Sequence, residues 1–242
     1  MARVVTYYAI RGDLKDAAEF SNKIRHSKYR ANALAEIAVE YAQLGNFEDA
    51  LDIFEEIKES RPEITSRALA SIAREYGLAG EKIQAARYMS ESIHVALSIR
   101  YIVDRNKAKF EIVEACRAKG DADRACTVLS QIAEDVQAVR DLKYKSKVLL
   151  DIVGEYRGLG RYGEIGRILS EVKGSVMAID GGESRGWMLF LISKGLMEIG
   201  QRNEALSVLA ESYKGAKILD DSQLHPHVLF ALAINYAKAD DF

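Results

Sequence analysis

The chain has 242 residues, 48% of them apolar and 29% charged, with a formal net charge of −2. That length allows one large domain or two small ones, and the near-neutral balance gives no global excess of charge to attract nucleic acid or an anionic membrane surface. No uncharged apolar run approaches the ~18–20 residues that a membrane span requires.

The first residues, MARVVTYYAIRGD, lack the charged lead-in, long apolar region and small-residue cleavage site of a secretion signal, so a cytoplasmic location is expected. Only two prolines, Pro62 and Pro226, interrupt the chain. Strand-type alternation is scarce, while apolar residues recur at helical spacing throughout, which predicts an all-α fold.

In chain order, residues 1–28 read as a short helix with Val4 and Tyr8, a turn at Gly12, and a second helix with Ala17. Residues 29–63 repeat the pattern with Ile37, Tyr41, Gly45 and Ala50, and residues 64–103 with Ile72, Tyr76, Gly80 and Ala85. Residues 104–142 carry Ile112, Cys116, Gly120 and Ala125; residues 143–182 carry Ile152, Tyr156, Gly160 and Ile165. Residues 183–222 follow with Ile192, Leu196, Gly200 and Ala205, and a terminal helix over 223–242 has Leu232 and Tyr236, with Asp240 where a glycine would stand. The turn glycines lie 33, 35, 40, 40 and 40 residues apart.

Apolar residues eleven, eight, seven and four before each glycine share one helix face. The glycine provides a left-handed cap, and Asp13, Asn46 or Asp121 is placed to cap the next helix. The alanine five residues on marks a close approach of two antiparallel helices. Six hairpins and a final helix, about thirteen helices in all, form one domain over 1–242 in which each hairpin buries its remaining apolar stripe against the next.

This repeat disposes of a dinucleotide motif. GLGRYG, Gly158 to Gly163, has G-x-G-x-x-G spacing and is followed by Asp180. A pyrophosphate loop follows a strand, however, and this stretch is the fifth copy of a helix–helix turn. Cys116 and Cys126 lack a second pair, and His225 and His227 flank Pro226 at a helix start, so no metal site is expected. Cys116 reads as packing. No P-loop, H-E-x-x-H or G-x-S-x-G motif occurs, and no catalytic residue or cofactor is expected.

The second unit, ALAEIAVEYAQLGNFEDALDIFEEIKESRP, resembles a tetratricopeptide repeat (TPR). Leu34, Ile37, Ala38 and Tyr41 match the family's first helix, Gly45 and Phe47 its turn, Ala50 and Phe54 its second helix, and Pro62 its terminal proline. Elsewhere Lys82, Ala122 and Arg202 replace the aromatic after the turn, and the 40-residue period is longer than the family's, which suggests longer helices. The resemblance implies an α-solenoid in a right-handed superhelix, with a concave groove for a peptide or protein lined by the first helix of each hairpin.

Carried onto this chain, the groove contains Arg74, Arg117, Gly154, Arg157, Trp187, Phe190 and Lys194, a basic surface with apolar patches suited to an acidic segment. In the alternative, the cations pair with Glu114, Glu111 and Asp151, and Trp187 plugs the core between repeats. The family's Lys/Asn clamp for a terminal carboxylate has no match here. Eleven of the 17 glycines fall between Gly154 and Gly200, where helical glycine signals close packing, a bend, or room for something to approach.

Arg67, Lys107 and Lys147 recur in register as a basic row, with Arg30 and Arg185 two residues off. They support the alternative function, RNA or DNA binding through phosphate contacts. The base-reading pair of pentatricopeptide-like readers is missing. The expected function is therefore a non-enzymatic protein-interaction scaffold. Apolar side chains occupy more than one face of the first and last helices (Val4, Val5, Tyr7, Tyr8 and Ile10; Leu229, Phe230, Leu232, Ile234 and Tyr236), which suggests a homodimer through at least one end; the alternative is ends that stay exposed or fold back.

Overall fold

The computed structural model describes residues 13–179 and 183–219. Among them are eleven α-helices and no strand. The predicted first and last helices, the ends through which a homodimer was expected, lie outside the described residues.

The chain divides into two compact units, residues 1–132 and 133–242. The first unit begins with α1 (Leu14–Asn22), followed by a hairpin of α2 (Ser27–Gln43) and α3 (Phe47–Glu55). Next come α4 (Pro62–Leu78) with α5 (Lys82–Leu97), and α6 (Ile102–Ala118) leading into α7 (Ala122–Gln137), within which the boundary falls. The second unit contains the hairpins α8 (Leu142–Gly158) with α9 (Tyr162–Met177), and α10 (Glu183–Glu198) with α11 (Arg202–Leu219). In the first unit α4 packs on α2, α5 and α6; in the second, α10 packs on α8, α9 and α11. Within each unit a first helix thus touches its own partner and the first helix of a neighbouring hairpin, which is solenoid packing. None of the helices among the described residues is long and apolar enough to cross a membrane.

The hairpin turns share one mechanism. Gly45, Gly80, Gly120, Gly160 and Gly200 all have positive φ, between 69° and 86°. At the first, the Gly45 amide donates to the Ala42 carbonyl at 3.0 Å and the Asn46 amide to the Tyr41 carbonyl at 2.9 Å. This paired capping satisfies carbonyls that a helix end would otherwise orphan, and it recurs at all five glycines. The residue after each glycine starts the second helix mainly through its backbone. Of the three side-chain caps expected, Asp121 accepts from the Arg124 amide at 3.2 Å, whereas Asp13 and Asn46 make no cap bond. Asp141 caps α8 instead, accepting from the Lys143 and Tyr144 amides.

The predicted face forms the core. Leu34, Ile37, Leu69, Ile72, Ile112, Leu149, Ile152, Leu189 and Ile192 are all buried, each worth about 1.5–3 kcal/mol of apolar burial. Ala17, Ala50, Ala85, Ala125, Ile165 and Ala205, the column five residues after each glycine, are fully buried. Phe47, the aromatic after its turn, stacks on Tyr76 of the next hairpin at 3.9 Å, and Tyr76 stacks on Tyr88 at 5.5 Å. Lys109 breaks the pattern: it occupies the leucine column of Leu69 and Leu149, yet is only 2% exposed.

The long period has a local origin. The first helices α2, α4, α6 and α8 all have 17 residues. The second helix lengthens from 9 residues in α3 to 16 in α5, α7 and α9. In α4/α5 this added length is tied across the hairpin by a reciprocal buried bond: the Ser66 hydroxyl donates to the Ser92 carbonyl at 3.0 Å, and the Ser92 hydroxyl to the Ser66 carbonyl at 2.7 Å. In α10/α11 the Ser212 hydroxyl donates to the Gly186 carbonyl at the corresponding place.

Candidate functional site

The first helices position the candidate residues because their solvent-facing positions recur with the glycine register. In the second unit, Trp187 is the fifth residue of α10 and 43% exposed, so it does not plug the core. Its ring packs 5.4 Å from Phe190, tilted by 31°. An exposed indole beside a half-buried phenyl ring offers a large apolar contact with a polar tip.

Gly154 lies on the neighbouring helix α8, half-buried, and a methyl group placed there would meet no atom within 4 Å. Of the readings for helical glycine, this position has room rather than close packing. Gly195 on α10 is the opposite case: a methyl would fall 3.0 Å from Leu169 Cδ1.

The cations have partners that the sequence did not indicate. Arg157 Nη1 donates to both carboxylate oxygens of Glu198, at 3.0 and 3.1 Å, tying α8 to α10. Arg74 is held by its sequence neighbour Glu75, with Nε to Oε1 at 2.9 Å and Nη2 to Oε1 at 2.8 Å. The partners of Arg157 and Arg74 are thus Glu198 and Glu75 rather than Glu114, Glu111 or Asp151. Arg117 and Lys194 are both exposed. Partly exposed ion pairs are worth about 0–1 kcal/mol, so an incoming carboxylate can compete for these guanidinium groups.

The basic row is interleaved with acids. Arg67 Nη2 donates to Asn32 Oδ1 at 2.9 Å and stands 3.5 Å from Glu36 Oε1, both on α2. Glu111, one turn beyond Lys107 on α6, has its carboxyl pushed above the ordinary range by burial, which outweighs the attraction of Arg67 and Lys107. In the second unit, burial likewise raises Asp151, one turn beyond Lys147, and Lys147 opposes the shift.

In the first unit these groups border a cleft of about 310 Å³ among α2, α4 and α6, lined by Lys28, Asn32, Arg67, Asp104, Lys107 and Glu111 among others. Sequence reasoning picked Arg67 and Lys107 for their register but missed the cleft. The available signal was the acid nine residues before the glycine, Glu36, Glu111 and Asp151, interrupted by Ser71 and Leu191.

No family model matches the sequence, and no curated protein matches it. Solved structures do match. The nearly identical TPR-like repeats of a protein assigned as a kinesin light chain from Podosopora anserina superpose with a TM-score of 0.51 at 20% identity, over 81% of this chain and 99% of that one. A STAND signal-transduction ATPase with a tetratricopeptide repeat sensor from Pyrococcus horikoshii gives 0.52 at 16% identity, over 97% of this chain and 36% of that protein. The fold is that of TPR-like helical-hairpin repeats.

Proposed function

We propose that the chain is a non-enzymatic interaction scaffold that holds a peptide or protein segment in a partly basic groove on its first helices. The observation that carries this reading is the surface of α8 and α10. There Trp187 and Phe190 stand in contact, Trp187 exposed, beside a helix whose Gly154 leaves open space. Tryptophan and arginine are the residue types in which binding energy concentrates, and Arg157 lies on the same pair of helices with a partner that a ligand carboxylate can displace. The acids beside the basic row weigh against a phosphate track, because Glu36, Glu111 and Asp151 would repel each successive phosphate.

An affinity capture from source lysate, run with and without nuclease and read by mass spectrometry, tests this. A stoichiometric protein that survives nuclease and is lost with Trp187→Ala, while the variant keeps its melting temperature, is the expected result. Recovery of RNA or DNA, with proteins lost on digestion, would overturn it. Trp187 is the sole tryptophan, so its fluorescence reports directly on binding.

A further inference from the structure

From Phe20 to Ala35 the sequence carries Lys23, Arg25, Lys28 and Arg30 and no acid, in a chain whose net charge is −2. All four cations are exposed, on the connection from α1 to α2 and in the first turn of α2. None makes an ion pair among the described residues, whereas Lys58, Arg61, Arg67 and Arg157 each hold a carboxylate. The Lys23 ammonium lies instead 4.6 Å from the centroid of the Phe20 ring. The acids that interleave with the basic row are missing here. Cations crowded in this way attract an anion that neutralises several of them at once.

Two aromatic rings stand among these cations. Tyr29 is 55% exposed, and the His26 ring packs against it at 4.9 Å, tilted by 56°. Lys28, Tyr29 and Arg30 are consecutive helical residues, each turned about 100° from the last, so a cation flanks the phenol ring on either side. This arrangement discriminates among anions. A membrane surface needs apolar side chains to insert as well as charge, and Ile24 in the same stretch is buried, which leaves Tyr29 alone. An acidic peptide supplies carboxylates but leaves the ring unused, and a duplex keeps its bases stacked inside. A single strand supplies both phosphates for Lys and Arg and unpaired bases whose faces stack on aromatic rings. We propose that the segment from Lys23 to Arg30 binds a single strand of nucleic acid, one base stacking on Tyr29 and its neighbouring phosphates accepting from Lys28 and Arg30, with Lys23 and Arg25 taking the next. The inference goes beyond the scaffold reading and does not depend on it.

The test is fluorescence anisotropy of the purified full chain with a labelled oligouridylate of about 20 nucleotides, longer than the footprint of most single-strand sites. An RNA duplex of equal length, polyglutamate, and phosphatidylserine–phosphatidylcholine vesicles are offered as competitors. Contact with about four phosphates predicts that log K falls against log salt with a slope of about −3. Lys28→Gln with Arg30→Gln is expected to halve that slope. Tyr29→Ala is expected to weaken binding about tenfold with the slope unchanged, and Tyr29→Phe to bind like the parent. These positions are exposed, so each variant should keep its melting temperature. No binding of oligouridylate, equal or stronger competition by duplex, polyglutamate or vesicles, or full affinity in Tyr29→Ala or the double variant overturns the proposal. A lysate protein that survives nuclease and is lost with Trp187→Ala leaves the scaffold reading standing whichever way this test falls.

Discussion

Replacing Gly154 by alanine separates what the fold needs from what a partner needs. Gly154 sits in the interior of α8, with nothing within 4 Å of the added methyl. Alanine in a helix interior is favoured over glycine by about 1 kcal/mol, and no steric term opposes that gain here. For a chain of this size, about 1 kcal/mol corresponds to a rise in melting temperature of about 2–4 °C.

Gly160, six residues on, is the internal control. Its φ of 69° is left-handed, where a Cβ is costly even with open space around it. Gly160→Ala should lower the melting temperature by a similar amount, since the left-handed conformation costs a non-glycine residue about 1–2 kcal/mol. Calorimetry of both variants beside the parent gives the stability arm, and capture of the lysate partner gives the functional arm. Gly154→Ala is expected to be more stable and to bind less well, because the methyl fills space left for the partner. A fall in its melting temperature would refute the packing argument, and a rise with capture unchanged would refute the role of the space.

Three further outcomes are expected. Glu111 has a raised pKa in the fold, so the folded state holds its proton more tightly than the unfolded chain; the stability this gives is present below the ordinary carboxylate value and is lost as pH rises through the folded value. Glu111→Gln should therefore match the parent near about pH 4 and exceed it in melting temperature at neutral pH; a variant that is relatively weaker at neutral pH contradicts the sign. Ser66→Ala and Ser92→Ala should each cost about 1 kcal/mol in urea denaturation and fall short of additivity when combined, because their hydroxyls share bonds across α4 and α5; strict additivity would mean the two act separately. Burial pushes the Cys116 thiol up to about 11, so at pH 8 a disulfide reagent should modify Cys126 quickly and Cys116 only after unfolding; equal native rates would refute this assignment.

The hairpins were legible in the sequence because each rests on local rules. A glycine that must take positive φ, such as Gly120, and an apolar face at helical spacing, such as Ile112 with Cys116, lie within one turn or one helix of each other. Exact repetition then averages out exceptions such as Lys109. The side-chain caps expected at Asp13 and Asn46 are absent, while the one at Asp121 forms.

The site was only partly legible. Register placed Arg67, Lys107 and Trp187 on exposed or half-buried positions of the first helices, since facing is a property of one helix. Pairing is not. Arg157 meets Glu198 across 41 positions of sequence, and Arg67 meets Asn32 across 35. The sequence by itself determined the repeat, its turns and its core, which follow from contacts within a hairpin. Only the tertiary structure decided which charges are satisfied and where a cleft opens, because those depend on how neighbouring first helices set their side chains against one another.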